Sequence, residues 1–172
     1  AQLAGRRPRS GILMAGVEYD HAQVLAAVQE AFPDLPLVGC TTAGEMASAV
    51  GFSDDSLALM LFCSGQLAFG AGRGLALSQD PEAAVAQALA MARDSLPGPE
   101  QLCLVFCEGV SAPAHLAVQS LNRRVARGCA VFGGVAAHPW HIETDTRQFC
   151  NDELLEDAIV VLLVQGPIRF RF

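Results

Sequence analysis

Apolar positions in this chain follow two alternating periods. Short apolar runs bounded by Gly, Pro or Asp read as strands over residues 12–16, 37–40, 55–63, 102–107, 129–133 and 155–165. Between them the spacing changes to that of a helix. Asp20 is a cap for a segment in which Val24, Leu25, Val28 and Phe32 share a face, and Pro33 and Pro36 end it. Asp80-Pro81-Glu82 opens a second helix, residues 81–95, with Ala84, Ala88 and Met91 beside Val85 and Leu89; Pro97-Gly98-Pro99 stops it. Residues 113–126 read as a third. Residues 47–51 read as extended, Ser64-Gly65 as a hairpin turn into 66–77, and 148–151 as a short strand. Residues 138–145 read as a polar loop, and 155–165 with 168–172 as a closing hairpin around Gly166-Pro167.

The strand–helix–strand order occurs twice, and a helix between two short apolar strands predicts parallel pairing in each unit. One strand ends at Gly16 and its successor reaches Gly39, 23 positions on; the second pair ends at Gly109 and Gly133, 24 apart. Each is followed by an Asp-led apolar run, Asp55-Ser56-Leu57-Ala58 and Asp157-Ala158-Ile159-Val160. The predicted fold is α/β of mixed (α+β) type. Two pseudo-repeated βαβ-plus-hairpin units, about 1–68 and 69–172, form mixed sheet covered by helices within a single domain. The second unit begins with a strand and the 81–95 helix, whereas the first has only Ala1-Gln2-Leu3-Ala4, resembling the end of such a helix. The chain therefore reads as a piece trimmed at both ends.

Composition narrows the function classes. Hydrophobic residues make up 52% and charged residues 17%, yet no apolar run is long enough to span a bilayer, and no leader is evident. A net charge of −7, no lysine and only short Arg clusters (Arg6-Arg7-Pro8-Arg9, Arg123-Arg124) argue against a nucleic-acid surface. The six cysteines form no C-x-x-C pair and fit no zinc spacing. Cys103 and Cys107 share a strand face about 13 Å apart, too far for a disulfide. They read as reduced core thiols of a cytoplasmic protein.

Gly39-Cys40-Thr41-Thr42-Ala43-Gly44-Glu45, the Asp-Ser-Leu-led strand about ten residues on and the Gly133-Gly134-Val135-Ala136-Ala137 loop together resemble the FIST sensory domain, N-terminal half. The resemblance spans most of the chain. It implies a cytoplasmic input module of bacterial signal transduction with a small-molecule ligand, an amino acid among the proposed ones. A C-terminal FIST half and a signalling output protein or domain are the implied partners. Some members are reported as nitric-oxide-responsive haem proteins. The chain departs from the family's pattern at His138, followed by Pro139-Trp140-His141.

The candidate ligand site therefore comprises Gly39, Cys40, Thr41, Thr42, Ala43, Gly44 and Glu45 from the first loop and Gly133, Gly134, Val135 and His138 from the second. In the first, glycines let the backbone turn closely, two Thr hydroxyls and successive amides suit a carboxylate, and Glu45 suits an ammonium. The second offers backbone and room. Arg73 is a further carboxylate partner, although Gly70-Ala71-Gly72-Arg73-Gly74 reads foremost as a bent or bulged strand. Without a ligand the glycines make the turn and the threonines bond their own backbone. Two alternatives stand beside non-catalytic sensing. Cys40 with His138 or His141 can form a nucleophile–base pair, though a small buried Cys is the plainer reading. A non-covalent haem needs an axial ligand, for which His138 and then His141 are the candidates. His21 and His115 read as exposed helix starts. No cofactor is expected otherwise.

Overall fold

The computed structural model describes residues 3–48, 51–110, 112–138 and 146–171. Among them are three helices and eleven strands in mixed sheets. The first sheet contains β1 (Ser10–Gly16), β2 (Leu37–Thr42), β5 (Leu57–Phe62), β9 (Gln148–Cys150) and β10 (Glu153–Leu155), in the order β10-β9-β2-β1-β5. The second contains β6 (Ala68–Leu75), β7 (Leu102–Cys107), β8 (Ala130–Val135) and β11 (Ala158–Gln165), in the order β6-β11-β7-β8. A small hairpin of β3 (Glu45–Ala47) and β4 (Gly51–Ser53) stands apart. The helices are α1 (His21–Ala31), α2 (Pro81–Arg93) and α3 (Ala114–Arg124).

Each βαβ pattern gives the parallel pair its helix demands: β1 with β2, and β7 with β8. On the other side of β1 runs β5, antiparallel, and on the other side of β7 runs β11, also antiparallel. Three strands of each sheet, β2-β1-β5 and β8-β7-β11, therefore run in the same order and sense.

The strand alternation sorts side chains into three cores. Ile12, Val38, Cys40 and Cys150 of the first sheet meet Phe69, Leu104, Phe106, Val160 and Leu162 of the second, so the sheets stack face to face. Outer faces are covered by helices, α1 over Leu13, Ala15, Leu37 and Phe149 and α2 with α3 over Cys103, Val105, Val161 and Leu163. The result is a helix–sheet–sheet–helix arrangement, mixed sheet covered by helices as the sequence predicts. Burial on both faces explains the layering: most strands are apolar on both sides, which calls for a second sheet as well as a helix.

Neither predicted hairpin forms among the described residues. β5 and β6 do not pair; residues 63–67 carry the chain from the first sheet into the second, where β6 pairs with β11 from Ala68↔Gln165 to Leu75↔Ala158. Phe62 and Phe69 stack at 5.7 Å across that passage. Likewise residues 168–171 form no strand beside β11, whose neighbours are β6 and β7. The register of β6 is unbroken, so the glycine-rich stretch is neither bent out of the sheet nor bulged. Instead Gly70, Gly72 and Gly74 face α2 so closely that a Cβ on each would lie 1.9, 2.1 and 1.8 Å from the carbonyl oxygens of Ala92, Ala88 and Ala84. Of the extended segment predicted at 47–51, Ala47 and Gly51 pair across the β3–β4 hairpin, and residues 49 and 50 lie outside the described residues.

The predicted caps form. Asp20 accepts from Gln23 N at 3.1 Å and Asp80 from Ala83 N at 3.0 Å. At the far end of α2, Arg93 meets the buried carboxylate of Glu100 at 2.6 Å, and Ala126 N also donates to it at 2.9 Å. Burial, the largest influence, pushes the pKa of Glu100 up. Hydrogen bonds from Arg93, its own amide and Ala126 together hold it below the ordinary 4.5. The stability it contributes is thus present above about pH 4.5 and lost as pH falls through the lower folded value. In acid titrations of unfolding free energy, the wild type is expected to lose stability below that pH more steeply than Glu100→Gln.

Candidate functional site

The parallel strands β1, β2, β7 and β8 carry the candidate loops on the carboxyl ends of β2 and β8, where open α/β sheets place ligands. The two loops meet: Ala137 N donates to Thr41 O at 3.0 Å. Thr41 is fully buried and latched on a second side. Its N–H donates to Arg147 O at 2.9 Å, and its hydroxyl oxygen accepts from Arg147 N at 3.0 Å. The second loop is held to its own sheet by Ala136 N, which donates to Cys107 O at 2.8 Å.

Glycine makes these junctions. At Gly39 a Cβ would lie 1.8 Å from Leu13 O, and at Gly133 it would lie 1.7 Å from Val105 O. The partner strand's carbonyl takes the space of the side chain in both halves. Gly44, at φ 140°, turns the chain into β3 against the Phe52 ring. The carboxylate of Glu45 accepts from the hydroxyls of Thr42 and Ser56. That uses two of its roughly four acceptor positions and leaves the others for a ligand donor. Gly133, Gly134 and Val135 line a cleft of about 260 Å³ between β8 and α3, with Cys107, Val118 and Phe132 among its other walls. Backbone and room are what this loop contributes.

Cys40 is buried, and its thiol lies 3.9 Å from Met14 Sδ. Burial pushes its pKa up to about 12, with Cys107 and Glu45 adding to the rise. The thiol is therefore neutral at physiological pH and poorly suited to nucleophilic attack. Mass-spectrometric footprinting with a thiol reagent at pH 7.5 is expected to label the half-buried Cys63 first and to leave Cys40 unlabelled until the protein unfolds.

Arg73 is not grouped with the loops. It lies opposite Val160 on β6 and bonds both carboxylate oxygens of Glu153 on β10 through Nε, at 2.8 and 2.7 Å. The carboxylate it holds is the protein's own. His138 is partly buried at the end of the second loop, and His141 lies outside the described residues. His115 is exposed as expected, but His21 is half-buried against Phe149, ring centroids 5.3 Å apart, with Nε2 2.9 Å from Gly16 O. Among the described residues no group of three or more His, Cys, Asp or Glu is arranged to hold a metal ion.

Two buried polar residues beside the junction were not legible as site residues. Glu108, at the end of β7, accepts from Val110 N at 2.6 Å, Ala112 N at 2.8 Å and the Thr146 hydroxyl at 3.3 Å, shaping the approach to α3. Gln148 sits opposite Cys40 and is fully buried; its Oε1 accepts from Ala158 N at 3.2 Å, while its Nε2 has no partner among the described residues. The Ala158 bond fixes which end of the amide is the donor. For Glu108 the signal in the sequence is a carboxylate directly after an apolar strand. Gln148 gives none.

Two parallel strand pairs whose loops meet, with hydroxyls, a carboxylate and a small apolar cleft beside them, define a domain of the mixed α/β class. The family model described as FIST N domain matches residues 10–172, and the chain belongs to that family of signal-transduction sensory domains. No curated protein matches it.

Proposed function

We propose that this domain senses a small carboxylate-bearing molecule, an amino acid being the leading candidate, without chemically altering it. It passes the binding event to a C-terminal FIST half and a signalling output partner in the cytoplasm. The supporting observation is the hydrogen bond from Ala137 N to Thr41 O, which brings together two loops 96 positions apart in sequence. Thr42 and backbone amides of the Gly39–Glu45 turn receive the carboxylate, Glu45 the ammonium, and the Gly133–Val135 loop leaves room for the rest. A ligand that bridges the loops favours the arrangement in which they are joined, and that differential affinity is what a sensor transmits.

The test is a thermal-shift screen of free amino acids and small carboxylates. A ligand at a hundred times its Kd stabilises by about 2.7 kcal/mol, which for a domain of this size raises Tm by about 5–10 °C. The shift is expected to vanish in Thr42→Val. A panel in which no compound moves Tm sinks the reading. The haem alternative is decided in the same preparation by an absorption spectrum after haem addition, where a Soret band lost in His138→Ala would replace the amino-acid reading with gas sensing.

A further inference from the structure

We propose that Gln148 is the interior anchor of the ligand site, its side-chain N–H donating to the carboxylate that the joined loops receive. The inference rests on the reading of those loops as a carboxylate site and adds the residue that reads the ligand from within. Gln148 is fully buried. Among the described residues its Nε2 is the one buried side-chain nitrogen or oxygen with no hydrogen-bond partner. Its Oε1 already accepts from Ala158 N at 3.2 Å, so turning the amide over would only strand the other end. A buried donor without a bond has lost its water and gained no replacement. Such a group calls for a partner that the folded chain does not itself supply.

The neighbours on the sheet cannot be that partner. Gln148 lies between Cys40 on β2 and Leu155 on β10. Cys40, and Met14 beyond it on β1, offer only sulfur, a weak acceptor, and the Cys40 thiol already meets Met14 Sδ at 3.9 Å. Glu108 does not fill the place either, since its oxygens take Val110 N, Ala112 N and the Thr146 hydroxyl. Location ties the donor to the loops. Phe149 packs towards α1 and Cys150 between the sheets, so Gln148 shares the inter-sheet face with Cys150. There it reaches the start of β11, where Ala158 O accepts from Glu108 N at 3.0 Å. The residue before it, Arg147, is the one that latches Thr41. Thr42 is on the same face of β2 as Cys40, two residues further on. A diagonal cross-strand neighbour of that kind stands roughly 7–8 Å away, a span that one carboxylate bridges with a hydroxyl on one side and an amide on the other.

The test follows the side-chain amide resonances of Gln148 in the isotopically labelled full chain. They are assigned by their loss in Gln148→Glu, which keeps an acceptor for Ala158 N and removes the donor. The probes are acetate, glycine and the other free amino acids of the thermal-shift screen, with chloride at equal ionic strength as the control. At least one probe is expected to move these resonances downfield and to slow their exchange with water, and to bind Gln148→Glu at least about tenfold more weakly. The wild-type resonances decide even where Gln148→Glu fails to fold, because Gln148→Met assigns them equally. A compound that raises Tm yet leaves the Gln148 resonances in place overturns the anchor and leaves the carboxylate reading standing. Resonances that move with acetate while no amino acid raises Tm keep the anchor and remove the amino acid. Resonances that no probe moves overturn the anchor. So does a nuclear Overhauser contact to a long-lived water that persists with every probe, because an internal water is then the partner.

Discussion

Gly72→Val is expected to lower Tm by at least about 10 °C. Gly72 stands in the middle of the interface between β6 and α2, and the Cβ of any other residue would lie 2.1 Å from Ala88 O and 2.7 Å from Ala92 N. Neither atom belongs to a side chain that can swing away. The helix must retreat along its length, which opens the core that Val85, Ala88, Leu89 and Ala92 form with Val161 and Leu163. Overpacking a core costs about 1–3 kcal/mol and sometimes more, and the apolar packing forfeited as the helix lifts adds to that. Each kcal/mol moves the melting temperature of a domain of this size by about 2–4 °C. Gly134→Ala is the control: nothing lies within 4 Å of its Cβ position, and a change below about 1 kcal/mol is expected. Equal melting curves for Gly72→Val and wild type would show that α2 does not rest on β6 as described.

The second large effect belongs to the site. Gly39→Ala and Gly133→Ala each place a methyl where the neighbouring strand's carbonyl sits, 1.8 Å from Leu13 O and 1.7 Å from Val105 O. Both are expected to destabilise by about 3 kcal/mol, since a parallel pair has to spread next to the loop it carries. Because the two close approaches are alike, the two losses are expected to be similar. Chemical denaturation of both variants measures this; a loss at one glycine only would mean that the two strand pairs are not built alike. Each variant is also expected to abolish any ligand-induced shift in Tm, because Thr41 follows two residues after Gly39 and Ala137 four after Gly133.

Several elements are legible in the sequence because their causes are local. Asp20 and Asp80 cap helices by reaching their own third residue, and an apolar strand followed by a helix and another apolar strand specifies parallel pairing. The glycines of Gly39–Glu45 and Gly133–Gly134 mark the candidate loops because close backbone approach needs them. What is not legible is decided at long range. Ser64-Gly65 looks like a hairpin turn, but whether the next strand folds back on β5 or joins β11 depends on which edge offers the better surface for α2. Taken alone, the glycines of β6 look like a flaw in a strand, because their partner, the α2 backbone, lies 10–22 residues downstream. The charge of Arg73 suggests the loops, whereas Glu153, 80 residues away, holds it.

Spacing, capping and contiguous motifs were enough to specify the α/β class, the helix starts, the two parallel pairs, the family and the two loops of the candidate site. Folding in three dimensions settled the rest: the strands divide into two stacked sheets, β6 belongs to the second of them, and Thr41 joins Ala137. The same packing holds Cys40 neutral. These outcomes depend on which apolar faces meet once the chain collapses. Burial, desolvation and edge pairing are properties of that meeting rather than of any local segment.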